Sequence, residues 1–366
     1  MSAPSRLEVE LDGRDYQIVV GEGLLDDLGA QVPLPLHARR ALLVTQAPLV
    51  AHGHVARVLD GLRIAGLEVR VHEVPDGEVA KSPTVLADLW EACAAWPLGR
   101  DDLVVAVGGG VVGDLAGFLA ATWMRGVALL QVPTTLLAMV DASIGGKTGI
   151  NLASGKNLVG AFHQPIAVAA DPTVLSTLPE RLRIEGAAEI VKAALIADGT
   201  LLERIEREPD SIRHGNALLL HALILRAADI KARVVASDER EAGERAHLNL
   251  GHTYGHVLET LTGYGTFLHG EAVSVGLVVA LEVGVELGIT PEPVVRRTRA
   301  CLEAVGLPTA VPVLARDAVH ATMARDKKAR DGVRMVLLKD LARPTLVPVS
   351  PAVLDTVLDR LEVPAR

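Results

Sequence analysis

Apolar and polar residues alternate along the start of the chain and then give way to short, wholly apolar runs. Residues 7–20 alternate around Asp12-Gly13, which predicts a β-hairpin with glycine in its turn. Further on, apolar runs of strand length alternate with stretches of helical periodicity such as residues 83–96. The strand-length runs are residues 41–45, 67–74, 103–107 and 127–132. This alternation predicts an open, largely parallel sheet.

The pattern changes about halfway along the chain, where long apolar stripes at helical spacing replace the strand signals. Residues 217–235 and 272–287 carry such stripes, and strand signals return only at residues 333–347. We therefore predict two domains, an α/β Rossmann-like domain at residues 1–177 and a mainly α-helical domain at residues 178–366.

Composition and charge remove several classes of partner. The 366-residue chain carries 45 acidic and 36 basic residues, a net charge of −9, and only three each of Phe, Trp and Tyr. Such a chain repels nucleic acid and anionic membranes and offers few rings for base stacking. Cys93 and Cys301 are too few for a disulfide framework, which favours a reducing compartment. No signal peptide or membrane span is indicated, so we expect a cytoplasmic protein with a small-molecule substrate.

A glycine-rich turn follows the strand-length run at residues 103–107. Gly108, Gly110 and Gly113 fit the spacing G-x-G-x-x-G, in which backbone N–H groups approach a pyrophosphate at the start of a helix. The acidic residue that usually follows about twenty positions later is absent. The pattern alone therefore leaves two interpretations open, a dinucleotide site or tight packing of a helix on a strand.

Two other loops have the composition of anion sites. Thr134 and Thr135 follow one strand-length run, and the segment from Asp76 to Lys81 follows another. Ligands of open α/β sheets bind outside the carboxyl ends of the strands, so we expect the three loops to converge there.

Histidines and one embedded carboxylate indicate a metal site. His252 and His256 stand four residues apart, on one face of a helix, and His269 follows them. Glu189 lies within an apolar helical stretch, where a buried carboxylate needs a counter-charge. The alternatives are that Glu189 and Lys192 form a surface pair and that the histidines only cap helices.

Several cationic and amide side chains are candidates for phosphate or carboxylate contacts. Lys147 and Lys156 each stand beside glycine, which suits a phosphate contact. Further donors are Lys231, Arg245, Asn249 and the Asp326-Lys327-Lys328 triplet. Taken singly, each is also explained as a solvated surface charge.

Together these segments resemble the dehydroquinate synthase family, in the same order and with near-unbroken spacing from Asp76 to Lys328. The resemblance covers roughly three quarters of the chain and includes GGGVVGDLAGFLAATWMRG, QVPTTLLAMVDASIGGKTGIN, LPERLRIEGAAEIVKAALI and LHGEAV. It implies a cyclase that uses NAD and a divalent metal to convert 3-deoxy-D-arabino-heptulosonate 7-phosphate (DAHP) into 3-dehydroquinate.

The resemblance also implies roles for individual residues. Glu189, His252 and His269 would bind zinc or cobalt, and His256 would face the substrate. The residues implied to contact NAD are Asp76, Gly77, Glu78, Val79, Ala80, Lys81, Gly110, Val111, Val112, Gly113, Asp114, Thr134, Thr135, Asp141, Lys147, Lys156, Val174, Leu175, Ser176 and Thr177. The residues implied to contact substrate are Lys147, Asn157, Lys192, Lys231, Arg245, Asn249, His256 and one of Lys327 and Lys328. In this family Arg125 reaches a phosphate across a dimer contact, so we expect a homodimer.

Two stretches depart from the family's pattern. Leu152-Ala153-Ser154 stands where many relatives have His-Pro-Leu, which is expected to alter a loop. Thr45-Gln46 replaces the commoner Thr-Asn or Thr-Asp, which changes one expected contact to a cofactor hydroxyl.

Three other activities stay open at this point: a cyclase whose substrate lacks a carboxylate, an amino-dehydroquinate synthase and an NAD-dependent polyol dehydrogenase. Arg245 favours a substrate with a carboxylate, because a guanidinium can bind that group through two hydrogen bonds. Arg245 lies four residues before Asn249, so an α-helix would place both on one side. The alternative is that Arg245 pairs at the surface with one of the nearby acids, Glu239, Glu241 and Glu244.

Overall fold

The structure, a computed structural model, describes residues 3–241, 243–263, 265–324 and 333–363. Contacts between residues divide the chain into two units. The first runs to Pro179 and resumes for Ala217–Arg240, and the second comprises Glu180–Asn216 and the chain after Arg240.

Most strands of the described residues belong to the first unit. In chain order they are β1 (Ser5–Val9), β2 (Tyr16–Val20), β3 (Arg40–Gln46), β4 (Glu68–Val74), β5 (Leu103–Gly108), β6 (Ala128–Pro133), β7 (Lys147–Leu152), β8 (Gly155–Phe162), β9 (Ala167–Ala170), β10 (Val311–Pro312), β11 (Arg334–Leu338), β12 (Pro344–Pro348) and β13 (Glu362–Val363).

The helices of the described residues are divided between the two units. In chain order they are α1 (Leu28–Gln31), α2 (Ala47–Ala51), α3 (His54–Ile64), α4 (Pro83–Ala95), α5 (Gly110–Thr122), α6 (Glu180–Ala197), α7 (Gly199–Arg207), α8 (Asp210–His214), α9 (Ala217–Ser237), α10 (His252–Leu261), α11 (His269–Glu286), α12 (Glu292–Val305), α13 (Arg316–Ala324) and α14 (Pro351–Leu361).

The first unit is built on a seven-stranded sheet with the order β1-β2-β9-β6-β5-β3-β4. Strands β1 and β2 pair antiparallel, with Leu7 opposite Ile18, and the other pairings in this sheet are parallel. The predicted hairpin and the predicted largely parallel sheet are therefore confirmed. Every residue of β5 is buried, as expected for a central parallel strand covered on both faces.

Helices α4 and α5 bury aliphatic side chains against the central strands of this sheet. Leu89 of α4 and Leu115 and Leu119 of α5 share one core with Val104 and Ala106 of β5. Because α5 begins two residues after β5 ends, this packing holds the helix N-terminus at the carboxyl edge of the sheet.

Strands β7 and β8 form a separate antiparallel hairpin that the hydrophobic pattern did not predict. Its strands are rich in glycine and polar residues, so they lack the alternation on which strand prediction depends. Lys147 begins β7 and Asn157 lies in β8. Helix α5 approaches closely at Gly117, where a Cβ atom would lie 2.3 Å from Cγ2 of Thr148.

Helix α9 belongs to the first unit, whereas the sequence placed its apolar stripe in the second half of the chain. It packs against β1, β2 and the segment Ala138–Ala142. An apolar stripe predicts that a helix buries one face, but it does not indicate which unit the face covers.

The second unit is mainly helical, which confirms the predicted fold class. Its strands form two small pairs, β10 with β13 in parallel and β11 with β12 antiparallel. Helix α11 packs against α6, α10, α12 and α14. Among the described residues, no helix is both long and apolar enough to cross a membrane.

Candidate functional site

The glycine turn joins β5 to α5. It serves both the packing of the helix and the access of an anion to the helix N-terminus. A Cβ atom on Gly108 would lie 2.5 Å from Cγ2 of Val112, and one on Gly113 would lie 2.9 Å from Oε1 of Gln131. Packing alone therefore requires glycine at position 108, whereas at position 113 the contact is with the end of a flexible side chain. Gly110 is only partly buried and begins a 13-residue helix, whose free N–H groups and dipole favour an anion.

Three segments of the first unit, the loop that carries Lys81, helix α5 and strand β8, meet around the buried ammonium of Lys81. Its Nζ donates hydrogen bonds of 2.6 Å to Oδ2 of Asp114, at the start of α5, and of 2.6 Å to Oδ1 of Asn157, in β8. Burial raises the pKa of Asp114, and Lys81 opposes this rise only in part. The structure thus brings together three residues that the sequence had singled out separately.

A second group of predicted residues surrounds Asp141, which lies in the π-helical segment Ala138–Ala142. Lys231 of α9 donates hydrogen bonds of 2.7 Å to the carbonyl oxygen and 2.5 Å to Oδ1 of Asp141. Thr134 donates its backbone N–H to Gly108, which ties this loop to the glycine turn. π-Helical turns are rare and often mark functional sites.

The remaining candidates of the first unit are more exposed or belong to other segments. Nζ of Lys156 is 4.0 Å from Oε1 of Glu78, and Lys147 is exposed. Arg125 is exposed and has a positive φ of 69°. The proposed cofactor stretch at residues 174–177 forms part of a 3-10 helix in which Val174 and Leu175 are buried.

The departure at Thr45-Gln46 has a structural consequence. The hydroxyl of Thr45 is buried and donates to the carbonyl oxygen of Val107, and the Gln46 amide donates to the carbonyl oxygen of Pro75. The Thr45 hydrogen bond thus links β3 to β5, and the Gln46 hydrogen bond links β3 to the residue that follows β4. The Leu152-Ala153-Ser154 departure lies at the turn between β7 and β8.

In the second unit, Glu189 of α6 and the first residues of α10 and α11, His252 and His269, form one cluster. One ligand atom from each of the three lies within 4.8 Å of the other two. Oε1 of Glu189 is 3.5 Å from Nε2 of His252 and 3.6 Å from Nε2 of His269. These three residues are the ligand set that the resemblance implied.

Close helix packing brings these ligands together. A Cβ atom on Gly270 would lie 2.0 Å from the carbonyl oxygen of Glu185, and one on Gly276 would lie 1.9 Å from the carbonyl oxygen of Gly251. Only glycine permits such contacts, so α11 lies directly against α6 and α10. The helix starts that carry His252 and His269 therefore reach Glu189.

The charges of the cluster suit a cation. Burial raises the pKa of Glu189, but Lys192, His252 and His269 outweigh burial and hold that pKa well below its usual range. Burial, followed by the charge of Lys192, lowers the pKa of His252 well below its usual value. A carboxylate and a neutral imidazole are the protonation states in which these groups bind metals.

His269 differs because two carboxylates face it. Burial lowers the pKa of His269, but Glu189 and Glu259 outweigh burial and raise the pKa to about 10. Oε2 of Glu259 lies 3.5 Å from Nδ1 of His269, on the side of the ring away from Glu189. Negative charge therefore converges on this imidazole from both sides.

The donor set fits a zinc or cobalt ion. Both carboxylate oxygens of Glu189 are buried, and Oε1 faces the two imidazoles while Oε2 faces the Lys192 ammonium. Two ligands about 2.0–2.2 Å from a tetrahedral metal are roughly 3.4 Å apart, close to the two distances measured from Glu189. A His₂-carboxylate set also leaves a coordination position for substrate or water.

Lys192 and His256 lie beside this cluster. Lys192 forms an ion pair with Glu189, and both side chains are almost completely buried, so the surface-pair interpretation is wrong. His256 is exposed, and its ring centroid lies 5.4 Å from that of His252 and 6.3 Å from that of His269. It therefore stands next to the three-ligand group and outside it.

Arg245 and Asn249 lie in a 3-10 helix, Glu244–Asn249, and not in an α-helix. With three residues per turn, residues four apart do not share a face, so the one-face argument for this pair was wrong. Arg245 is only 2% exposed, which excludes an exposed surface pair. Asn249 donates to Oε1 of Glu241 over 2.7 Å.

Two candidates cannot be placed, and one neighbour of the cluster was not predicted. Lys327 and Lys328 lie outside the described residues. Glu259 was not among the predicted residues. It stands seven residues after His252 and therefore on the same helix face. That spacing was the available signal.

The first unit has an α/β fold of the nucleotide-binding type. The second unit is mainly helical and carries a set of side chains of the kind that binds metals. The family model described as 3-dehydroquinate synthase N-terminal matches residues 71–185, and the 3-dehydroquinate synthase C-terminal model matches residues 186–329. The 3-dehydroquinate synthase of Synechococcus sp. strain CC9605 is 48% identical over 329 residues, which cover 89% of each chain. The chain belongs to the 3-dehydroquinate synthase family.

Solved structures of related cyclases share the fold. A 2-deoxy-scyllo-inosose synthase complexed with carbaglucose-6-phosphate, NAD+ and Co2+ has a TM-score of 0.89 at 28% identity, covering 97% of this chain and 99% of that one. The 2-epi-5-epi-valiolone synthase of Streptomyces hygroscopicus subsp. jinggangensis, with NAD+ and Zn2+ bound, has a TM-score of 0.87 at 26% identity, covering 96% and 97%.

Proposed function

We propose that the protein converts DAHP into 3-dehydroquinate and phosphate, with NAD and a divalent metal, Zn2+ or Co2+, as cofactors. The observation that carries this proposal is the cluster of Glu189, His252 and His269 in a chain of this family. The NAD+ and the Co2+ or Zn2+ in the two cyclase structures support the choice of cofactors.

The metal ligands in this proposal are Glu189, His252 and His269. A divalent metal, when bound, makes a substrate hydroxyl more acidic, and NAD, when bound, takes and returns a hydride. Beside the ligands, Lys192 would donate a hydrogen bond to a substrate oxygen, and His256 would orient the proton of a substrate hydroxyl. Asn249 would orient a further hydroxyl.

The cofactor site in this proposal uses the loops at the carboxyl edge of the sheet. The N-terminus of α5, at Gly110, supplies N–H groups to the pyrophosphate. The other proposed cofactor contacts are the residues that the resemblance implied, at positions 76–81, 111–114, 134–135, 141, 147, 156 and 174–177.

The substrate's two anionic groups require separate cations. We assign the phosphate to Lys147, Asn157 and one of Lys327 and Lys328, with Arg125 supplied across a homodimer contact. We assign the carboxylate to Arg245, with Lys231 as a second charge. Holding the phosphate near the carbon that loses its proton favours β-elimination by proximity. A cytoplasmic location agrees with this chemistry, since the soluble cofactor NAD is available there.

We expect a small amount of NAD to support many turnovers, because 3-dehydroquinate and phosphate together are at the oxidation level of DAHP. The test mixes the metal-loaded protein with excess DAHP and less than one equivalent of NAD, and it follows released phosphate and NADH absorbance. Phosphate should exceed NAD many times over while NADH stays near zero. One NADH per product would instead identify an NAD-dependent polyol dehydrogenase.

A further inference from the structure

Lys81 is almost completely buried, with 4% of its side chain exposed, yet it carries a positive charge. Its ammonium is compensated by Asp114 at 2.6 Å and by Glu78 at 3.9 Å. A buried cation costs free energy unless it is paired and hydrogen-bonded, and here it is both. The ammonium also donates a hydrogen bond to Oδ1 of Asn157.

Asn157 is held in an uncommon backbone conformation. Its φ is 53°, in the left-handed region that asparagine tolerates better than most residues. Its backbone N–H donates to Oδ1 of Asn151 over 2.9 Å, and the backbone N–H of Asn151 donates to the carbonyl oxygen of Lys81. Nδ2 of Asn151 donates to Glu78. The segment of Lys81 and the β7–β8 hairpin therefore fix each other.

The contact with Lys81 also fixes which way the Asn157 amide faces. An ammonium has three donors and no acceptor, so the amide atom that faces it must be the carbonyl oxygen. With Oδ1 held at 2.6 Å by Lys81, the Nδ2 donor points away from the ammonium. A phosphate group accepts hydrogen bonds, so it requires this orientation and is repelled by the reverse one.

We infer that Lys81 is a positioning residue that acts through Asn157, turning the Asn157 amide so that its Nδ2 donates to the phosphate group of the substrate. This inference rests on the proposed function for the identity of the phosphate compound. It gives Lys81 a role beside the NAD contact proposed above, because an ammonium has three donors and Asp114 and Asn157 accept from two of them.

The test is a double-mutant cycle with Lys81→Met and Asn157→Gly. Glycine is the appropriate replacement because it removes the amide and still accepts the positive φ of this position. The probe is inorganic phosphate, whose dissociation constant from the NAD-loaded and metal-loaded protein is measured by calorimetry. The KM for DAHP and the dissociation constant for NAD are measured on the same four proteins.

In the protein that keeps Asn157, Lys81→Met should weaken phosphate binding and raise the KM for DAHP, each about tenfold or more. This is the size expected for a hydrogen bond that involves a charged group. In the Asn157→Gly protein the same change should have an effect of less than about threefold, because the two residues act as one unit. Any effect of Lys81→Met on the dissociation constant for NAD should be the same with and without Asn157, because the NAD contact does not pass through Asn157.

Two results would overturn the inference. The effects of the two substitutions could multiply, which would show that Lys81 acts independently of Asn157. Phosphate that fails to bind the parent protein would also overturn it.

A second variant guards against a folding defect in Lys81→Met, which leaves buried Asp114 without its nearest cation. Lys81→Arg keeps a positive charge beside Asp114, and circular dichroism checks the fold. Its planar guanidinium cannot place one atom between Asp114 and Asn157 as the ammonium does, so an intermediate loss of phosphate affinity is expected. Full parent affinity in a folded Lys81→Arg protein would count against the positioning role. Absence of DAHP turnover in the parent protein bears on the proposed function alone, because phosphate binding is measured without turnover.

Discussion

Replacing His269 with alanine is expected to remove both the metal and the activity. The substitution deletes one of three ligand side chains and leaves Glu189, buried and 2% exposed, without the imidazole 3.6 Å from its Oε1. Loss of an outer partner of a metal ligand already costs about 10–100-fold in metal affinity or activity, so loss of a ligand should cost at least about 100-fold. Metal content after dialysis and the kcat for DAHP measure the two effects.

Two histidine variants separate metal binding from other roles. His256→Ala should keep stoichiometric metal and lose turnover, because His256 lies outside the three-ligand group and faces solvent. His214→Ala should keep both, since His214 is an exposed residue of α8. Stoichiometric zinc with full activity in His269→Ala would rule out the assigned ligand set.

Arg245→Leu is expected to cripple turnover of DAHP while fold and metal content stay intact. Arg245 is 2% exposed, so a carboxylate that reached it would lose most of its water, and the contact would be strong. Truncating one partner of such a buried charge pair costs roughly 2–5 kcal/mol, which corresponds to about 30-fold or more in kcat/KM. An exposed pair would be worth only about 0–1 kcal/mol.

The matched control is Arg296→Leu. Arg296 is an exposed arginine that forms an ion pair with Glu292, one turn earlier in α12. It should leave kcat/KM within about twofold of the parent value. Circular dichroism and metal content of both variants show whether the fold is intact. If Arg245→Leu leaves the kinetics with DAHP unchanged, the carboxylate contacts another residue.

Local periodicity predicted most of the fold, because apolar runs and stripes reflect burial directly. Strands β3 to β6, the first hairpin and helices α4, α9 and α11 all lie where the pattern placed them. The β7–β8 hairpin escaped prediction since its glycine and polar residues carry no alternation. The unit to which α9 belongs could not be predicted, because that depends on contacts between segments far apart in the chain.

The candidate site was predicted differently from the fold. Spacing alone suggested a metal among His252, His256, His269 and Glu189, and only the resemblance set His256 apart from the three ligands. The structure explains why spacing could not do so. The three ligands come from three helices, and their approach depends on contacts at Gly270 and Gly276 that no local pattern reveals.

The roles of Lys81 and Glu259 were hidden for a related reason. Each acts on another side chain, Lys81 on Asn157 in a distant hairpin and Glu259 on His269 in the next helix. A sequence shows which residues can carry charge, but it does not show which charges meet. Only the three-dimensional arrangement identifies residues that orient other residues.

Substrate choice by the purified parent protein tests the central claim most directly. The protein, loaded with NAD and Zn2+ or Co2+, is offered DAHP, the amino analogue of DAHP and sedoheptulose 7-phosphate, which lacks the carboxylate, and phosphate release and the carbon product are measured for each. We expect the protein to convert DAHP into 3-dehydroquinate and one phosphate. Its kcat/KM for DAHP should be at least about 30-fold above that for sedoheptulose 7-phosphate. Turnover of only the amino analogue or only sedoheptulose 7-phosphate would contradict this claim.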